Sequence, residues 1–163
     1  MECVHYTDSP LGRIMIAGDC NELTGLWFEG QKYFAETLLQ PAQEKSLSVF
    51  EQTEKWLELY FSGKDPGFRP KLAPRGTAFQ KEVWDILLEI PFGQTITYGD
   101  IASIIAQRRG VRQFSAQAIG GAVSRNPVSL IIPCHRVVGA DGKLTGYAGG
   151  LERKEALLKL EGR

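Results

Sequence analysis

A stretch rich in proline and glycine, residues 62–76, divides the chain and limits what each part can form. It contains three prolines, and a proline inside a helix removes a backbone hydrogen bond and clashes with the preceding turn. No helix can therefore continue through it. Because 163 residues suffice for one domain or two small ones, we predict an N-terminal domain with its linker over residues 1–73 and a C-terminal domain over residues 74–163.

The first part has the pattern of a small α/β unit. Apolar residues over 4–7 and 13–17 flank a turn containing Asp, Ser, Pro and Gly, which predicts a β-hairpin. Residues 23–29 predict a third strand. Apolar residues at helical spacing then predict two helices, over residues 33–39 and 48–61.

The second part is predicted to be mostly helical. Thr77 is a good N-cap for a first helix, which Pro91 terminates. A short extended segment should lead into a helix ending near Gln107, with Gly110 as its breaker. Another helix is predicted over residues 115–124. Two short helices around an arginine-rich turn form a helix-turn-helix pattern, although any pair of antiparallel helices resembles one.

The last of these helices carries an unusually bare face. Gly120 and Gly121 are adjacent within it, although glycine costs about 1 kcal/mol relative to alanine in a helix. Ala116 and Gly120 are four residues apart and share a face. Two explanations stay open, namely close packing of the helix on a sheet and close approach to a groove of DNA.

Charge is distributed unevenly along the chain. Residues 1–73 hold 7 Lys and Arg against 11 Asp and Glu, and residues 74–163 hold 12 against 8. The span 101–140 contains five arginines and no acid. Such a field favours a polyanionic partner, although a solvated arginine face is the alternative.

The segment Ile131–Gly139 combines apolar residues with Cys134, His135 and Arg136, which suggests a nucleophile within a buried segment. A free thiol has a pKa near 8.5, so a cysteine nucleophile needs activation. Neighbouring side chains on an extended segment point to opposite faces. A bridging water or a local bend would therefore be needed for His135 to act on Cys134. Glu161 is a candidate to orient the histidine.

The other cysteines do not indicate a metal site. Cys3, His5 and Cys20 supply fewer ligands than the four of a closed zinc site. Three widely spaced cysteines suit a reducing compartment better than a disulfide framework. With no signal-peptide pattern and no apolar run of membrane length, a cytoplasmic protein with no membrane partner is expected.

Several short motifs resemble, in the same order, those of the O6-alkylguanine-DNA alkyltransferases, also called methylated-DNA–protein-cysteine methyltransferases. The most specific is Pro133–Val137. The others lie at residues 92–93, 97–99, 120–122, 126–127 and 146–151, and residues 8–12 resemble the first hairpin of the family.

The resemblance implies a direct, irreversible, single-turnover transfer of an alkyl group from the O6 atom of guanine in DNA to Cys134, with no cofactor. His135 would act as a base through water, Glu161 would orient it, and Asn126 would hold the segment that shapes the site. The implied fold is α+β, with a ribonuclease-H-like N-terminal α/β domain and a mostly helical C-terminal domain containing a helix-turn-helix. The implied partner is double-stranded DNA containing O6-alkylguanine, bound by a monomer.

The resemblance also implies a DNA surface and a base pocket. Tyr98 would crowd the 3′ phosphate and help to rotate the nucleotide out of the stack, because a target atom inside a duplex cannot otherwise be reached. Ser115, Ala116 and Gly120 would face the minor groove. The guanine would be held or lined by Cys134, Val123, Val137, Tyr147 and Ala148. Arg125 and Arg136 are further DNA-binding candidates from the arginine-rich span.

Three features depart from better-known members of the family. Gln117 stands where they place an arginine that fills the space left by the flipped base, which predicts weaker binding or a different partner preference. Residues 107–114 form a longer, arginine-rich turn, whose arginines are candidates for the phosphate contacts. Ala148 replaces a hydroxyl residue that some members direct at the O6 oxygen.

Three other functions remain to be weighed. A non-catalytic protein that recognises alkylated DNA would carry another residue in place of Cys134. A Cys-His hydrolase oriented by Glu161 would turn over small esters or amides, yet no oxyanion motif is evident. A plain helix-turn-helix regulator would not need the thiol.

Overall fold

The computed structural model describes residues 2–162. The chain forms two compact units and returns once to the first of them. The first unit extends to Gly76 and also includes Pro127–Ile131; the second comprises Thr77–Asn126 and the chain from Ile132 onward. The return of residues 127–131 to the first unit has no counterpart in the sequence-based division after residue 73. That division stays a prediction about functional domains.

The first unit is built on a four-stranded mixed sheet. Strands β1 (Glu2–Thr7), β2 (Ile14–Asp19), β3 (Glu22–Phe28) and β4 (Ala42–Glu44) lie in the order β3-β2-β1-β4. β1 and β2 form the predicted hairpin, and β4 adds to β1 in parallel. The segment 127–131 joins this unit through Leu26, whose amide donates to the Pro127 carbonyl at 2.8 Å.

Both faces of this sheet are covered. Helix α1 (Ser48–Phe61) has the bounds that its helical pattern predicted, and a Cβ on Gly18 would collide with its Val49 and Phe50 side chains. On the other face, Phe34 and Leu38 pack on a buried cluster formed by Val4, Met15, Ala17 and Trp27.

The helix predicted over residues 33–39 is wrong. These residues form turns, and Tyr33 and Ala35 have φ angles of 61° and 54°, in the left-handed region that a right-handed helix excludes. The apolar spacing that suggested a helix arises instead because successive turns direct apolar side chains onto the sheet. The short strand β4 that follows was not predicted.

Three helices form the first half of the second unit, close to their predicted bounds. They are α2 (Ala78–Leu87), α3 (Tyr98–Arg109) and α4 (Ala116–Ser124). Thr77 and Thr97 each form a capping box at the start of their helix, and Gly110 ends α3 with a φ of 65°. Such caps supply partners for backbone groups that the helix ends leave open.

The second half of this unit brings the chain back beside the helices. The short strand β5 (Ile96–Thr97) pairs in parallel with β6 (Val137–Val138). Helix α5 (Leu151–Leu160) has its predicted bounds and packs on the turn that precedes β6. No helix among residues 2–162 is long and apolar enough to cross a membrane.

Candidate active site

Cys134 lies on a tight turn rather than on an extended strand. Residues Cys134–Arg136 form a 3₁₀ helix, closed by a hydrogen bond from the Arg136 amide to the Pro133 carbonyl at 3.0 Å. This turn is a local bend of the kind that the sequence analysis left open, and within residues 131–139 only β6 is a strand. A 3₁₀ helix turns by about 120° per residue, so Cys134 and His135 do not project to opposite faces as they would on a strand.

The thiol of Cys134 is almost completely buried. The residue is 4% exposed, and burial raises the pKa of its thiol because the thiolate loses hydration. A hydrogen bond from Asn126 and the positive charge of Lys154 act in the opposite direction. Asn126 also donates its amide to the Ile132 carbonyl at 2.7 Å, so one side chain holds the segment before the cysteine and contacts the thiol.

His135 is fully buried and bound to Glu161. Its Nε2 atom lies 2.6 Å from Oε2 of Glu161, as the sequence analysis anticipated for an orienting acid. Burial lowers the pKa of His135, and the negative charge of Glu161 only partly offsets this effect. The imidazole is therefore neutral at neutral pH, the form that can accept a proton.

Arg136 does not lie on a DNA-binding surface, and its prediction as a DNA contact is wrong. It is 8% exposed. Its Nε donates to Oε1 of Glu161 at 2.8 Å, and its Nη1 donates to the Ile90 carbonyl at 2.7 Å. The guanidinium points inward because the 3₁₀ turn directs it to the end of α5. It therefore does not belong to the surface arginines of the 101–140 span.

Lys154 is a buried cation that the sequence analysis missed. It is 0% exposed, and its Nζ donates to the carbonyls of Val137, Thr145 and Gly146 at 2.5, 2.9 and 3.0 Å. Burial lowers its pKa to about 8. Its spacing from Leu157 and Leu158 on α5 places it on the apolar face, and this was the available signal.

The glycine-rich loop 145–150 lies beside two tyrosines of the predicted site. The Tyr98 hydroxyl donates to the Thr145 carbonyl at 3.2 Å. The Tyr147 ring meets that of His135 edge-on, with centroids 6.5 Å apart. Its hydroxyl is buried and has no hydrogen-bond partner among the described residues. Burial raises the pKa of both tyrosines, so both hydroxyls stay protonated at neutral pH.

Helix α4 has one face packed against the unit and one face that carries small, exposed residues. On the packed face, the Trp84 indole of α2 donates to the Ala122 carbonyl at 2.9 Å. On the bare face, Ala116, Gln117 and Gly121 are exposed, and a Cβ on Gly121 would meet nothing within 4 Å. Close packing on a sheet therefore does not explain the small residues. Ser115 caps the helix by accepting from the Ala118 amide at 3.1 Å.

The arginine-rich turn is held by an acid from another helix. Arg109 donates to Glu82 of α2 at 2.9 Å, and Arg108 lies 3.9 Å from the same carboxylate. The Arg109 guanidinium also lies 5.6 and 5.1 Å from the ring centroids of Phe79 and Phe114. The span 101–140 contains no acid, yet the fold brings Glu82 from outside it to pair with these two arginines.

The remaining predicted residues vary in exposure. Val123 and Val137 are buried, Gly120 and Ala148 are partly buried, and Arg125 is exposed at the end of α4. A Cβ on Gly120 would lie 4.0 Å from the Tyr98 ring, which joins α4 to the tyrosine. Within residues 2–162, no three His, Cys, Asp or Glu side chains form a metal-ligand group.

Comparison with known proteins identifies the class of this fold and site. The family model described as 6-O-methylguanine DNA methyltransferase, DNA binding domain, matches residues 78–163. The model of the ribonuclease-like domain of the same methyltransferase matches residues 3–74. Together they account for both halves of the chain, and the fold is α+β, as the resemblance implied.

Individual relatives agree over nearly the whole chain. The methylated-DNA–protein-cysteine methyltransferase of Methanosarcina acetivorans is 47% identical over 95% of each chain, and that of Haemophilus influenzae is 42% identical over 99% of this chain and 88% of its own. The crystal structure of Mycobacterium tuberculosis OGT in complex with DNA has 41% identity and a TM-score of 0.84, covering 98% of this chain and 92% of that one. The chain belongs to the methylated-DNA–protein-cysteine methyltransferase family.

Proposed function

We infer that the protein repairs DNA by moving a methyl group from O6-methylguanine directly onto the sulfur of Cys134. The observation that carries this inference is the buried thiol on a 3₁₀ turn, beside a neutral histidine bound to a glutamate, in a chain of this family. A structural cysteine would need neither the Asn126 hydrogen bond nor the His135–Glu161 pair.

The transfer is a single displacement at the methyl carbon. The sulfur of Cys134 forms a bond to that carbon, and the bond between carbon and O6 breaks. The electron pair of the broken bond stays on the guanine oxygen. The thiol proton balances the charge by ending on the guanine, so normal guanine and S-methylcysteine are the products. No step regenerates the thiol, and each molecule therefore acts once.

The thiol must lose its proton although burial raises its pKa. His135 is neutral, and the Glu161 contact at Nε2 directs its other ring nitrogen, Nδ1, to act as the base through a water molecule. The positive charge of Lys154 stabilises the thiolate as it forms. Asn126 holds the acceptor segment by donating to the Ile132 carbonyl.

A cysteine that is 4% exposed cannot reach a base stacked within a duplex, so the nucleotide must rotate out. The bare face of α4 is suited to the minor groove, with Ser115, Ala116 and Gly120 close to the DNA. Gln117 would enter the space left by the base and Tyr98 would crowd the 3′ phosphate. Val123, Val137, Tyr147 and Ala148 would line the pocket, and Arg125 would contact phosphate.

This proposal assigns double-stranded DNA as the partner of residues 74–163, bound by one copy of the protein. The first part, residues 1–73, carries none of the proposed contacts. A protein that repairs DNA acts inside the cell, where the DNA is.

The experiment is to mix the protein with an equimolar duplex oligonucleotide containing O6-methylguanine and to digest it with trypsin. The three cysteines fall in three different tryptic peptides, and Cys134 lies in the peptide Asn126–Arg136. We expect one methyl group, on that peptide alone. A methyl group on the Cys3 or Cys20 peptide would refute the assignment of Cys134.

A matched variant separates this function from its rivals. Cys134→Ser should lose transfer and keep binding to the lesion, because serine changes the nucleophile and little else. Binding by the wild type with no mass change would favour a protein that only recognises alkylated DNA. Repeated turnover of a small ester would favour a Cys-His hydrolase.

A further inference from the structure

Arg136, next to the histidine in the chain, directs its guanidinium into the interior and onto Glu161. Nε and Nη2 donate to the two carboxylate oxygens at 2.8 and 3.2 Å, and Nη1 donates to the Ile90 carbonyl at 2.7 Å. This is the fork-shaped pairing in which arginine holds a carboxylate in one orientation. The carboxylate is consequently fixed before any substrate arrives.

Glu161 connects this arginine to the histidine. Its Oε1 atom also accepts from the Gly93 amide at 3.0 Å, and its Oε2 atom lies 2.6 Å from Nε2 of His135. An ionised carboxylate can only accept hydrogen bonds. Nε2 must therefore carry the proton of the neutral ring, and Nδ1 is left as the basic nitrogen.

This arrangement depends on the ionised form of Glu161. A buried carboxylate with no cation beside it tends to bind a proton, or to draw a neighbouring imidazole into its charged form. Either outcome would prevent His135 from acting as a base. A protonated carboxyl can donate a hydrogen bond to the ring, and an imidazolium cannot accept the thiol proton. The Arg136 charge opposes both, and repulsion from Arg136 contributes to the lowered pKa of His135.

We propose that Arg136 is a positioning residue, which keeps Glu161 ionised and thereby holds His135 as the neutral tautomer with its proton on Nε2. The proposal rests on the function inferred above, in which His135 receives the thiol proton. Arg136 itself contacts Glu161 and the Ile90 carbonyl, and it acts on His135 only through that carboxylate and its own charge.

The test compares Arg136→Met with Arg136→Lys in single-turnover methyl transfer to saturating protein, between about pH 5 and 7.5. The groups facing His135 are Glu161, Arg136, Lys154, Tyr147 and Cys134. The pKa of Lys154 is about 8 and that of Tyr147 is raised well above 10, so both keep their charge state across most of this range.

Arg136→Met should slow transfer by about tenfold to a hundredfold at neutral pH, because the loss falls within the usual contribution of a general base. It should also move the acid limb of the rate profile to higher pH, since His135 becomes easier to protonate. Arg136→Lys keeps the charge without the fork, so its acid limb should stay near that of the wild type and part of the rate should return.

Two outcomes would overturn the proposal. A slower Arg136→Met variant with an unmoved acid limb would mean a structural role alone. If Arg136→Met instead lowers the salt dependence of DNA binding by about one counterion and leaves the pH profile of the transfer rate unchanged, Arg136 would be a phosphate contact.

A second measurement uses the wild-type protein, in case Arg136→Met does not fold. Nitrogen NMR of the His135 ring should show the proton on Nε2, and a proton on Nδ1 would refute the proposal. This measurement needs no methyl transfer, so a failure of the proposed function and a failure of this inference give different results.

Discussion

Two arginine–glutamate pairs of the second unit have nearly the same N···O distance, but one is buried and the other is exposed. Nε of Arg136 lies 2.8 Å from Glu161, and the two side chains are 9% and 0% exposed. Nη2 of Arg109 lies 2.9 Å from Glu82, with side chains 45% and 28% exposed. Distance alone therefore does not distinguish them, and burial decides what each pair can do.

An exposed pair is worth about 0–1 kcal/mol and weakens with salt. The Arg109 pair can therefore be exchanged for a DNA phosphate at little cost. A buried pair loses much of its attraction to the cost of desolvating both charges, yet removing one partner strands the other. The charges around Cys134 are thus held rigidly, as the proposed proton acceptor requires, while those at the helix-turn-helix remain adjustable.

The largest effect is expected for Lys154, which belongs to the buried group. Lys154→Met would leave three carbonyl groups without their donor, so the free energy of unfolding should fall by about 3 kcal/mol or more. Urea denaturation measures the change.

Lys159→Met is the matched control for Lys154, because it changes the same residue type on the same helix. Lys159 is 70% exposed and pairs with Glu155 at 3.3 Å. Its loss should cost less than about 0.5 kcal/mol. Similar costs for the two variants would mean that burial does not separate the two classes of charge.

A second effect follows from the buried neutral histidine. Burial lowers the pKa of His135 in the folded protein, so the unfolded chain binds that proton first as the pH falls. The contribution to stability is complete above the unfolded pKa of about 6.5 and is lost below it, at up to about 1.4 kcal/mol per pH unit.

The variant His135→Gln isolates this contribution. Its free energy of unfolding should depend less steeply on pH than that of the wild type between about pH 5.5 and 6.5, because one proton fewer is taken up on unfolding. Denaturation in urea at several pH values gives both slopes. Identical slopes would show that His135 is charged in the folded protein.

The exposed region should respond to charge through DNA binding. Gln117→Arg adds a cation on the bare face of α4, so the salt dependence of the DNA association constant should steepen by about 0.9 logarithmic units per decade. Fluorescence anisotropy at several salt concentrations measures it. Gln52→Arg adds the same charge at an exposed position of α1 and should leave the salt dependence unchanged. An equal steepening for both variants would mean that Gln117 does not lie at the DNA-binding surface.

A small effect on stability is also expected for Glu82. Glu82→Gln removes the acid beside Arg108 and Arg109, and the free energy of unfolding should change by less than about 1 kcal/mol. DNA binding at low salt should tighten, because both arginines lose a competing partner. A loss of stability as large as that for Lys154→Met would contradict the view that this pair is adjustable.

Elements defined by local patterns were predictable. The bounds of α1 and α5, the first hairpin, the N-cap of α2 at Thr77 and the end of α3 at Gly110 follow from short-range periodicity and capping chemistry. The features that were not predicted share one cause. The false helix at residues 33–39, the 3₁₀ turn at Cys134 and the return of residues 127–131 to the first unit all depend on partners distant in the chain.

The site divides in the same way. Sequence alone singled out Cys134, His135 and Glu161 because their residue types suggest a nucleophile, a base and an orienting acid. Arg136 was placed on the DNA surface because sequence reveals a charge without its direction. Lys154 was passed over because lysine is usually exposed, although its spacing from Leu157 put it on the buried face of α5.

The order of residues was therefore enough to establish the family, the helical and strand segments and the identity of the acceptor thiol proposed here, since these depend on residue type and local spacing. Only the tertiary structure decided which charges lie inside. Burial is a property of packing between distant segments, and it determines that Arg136 and Lys154 lie inside, where the proposals give them a role, while Arg109 stays at the surface.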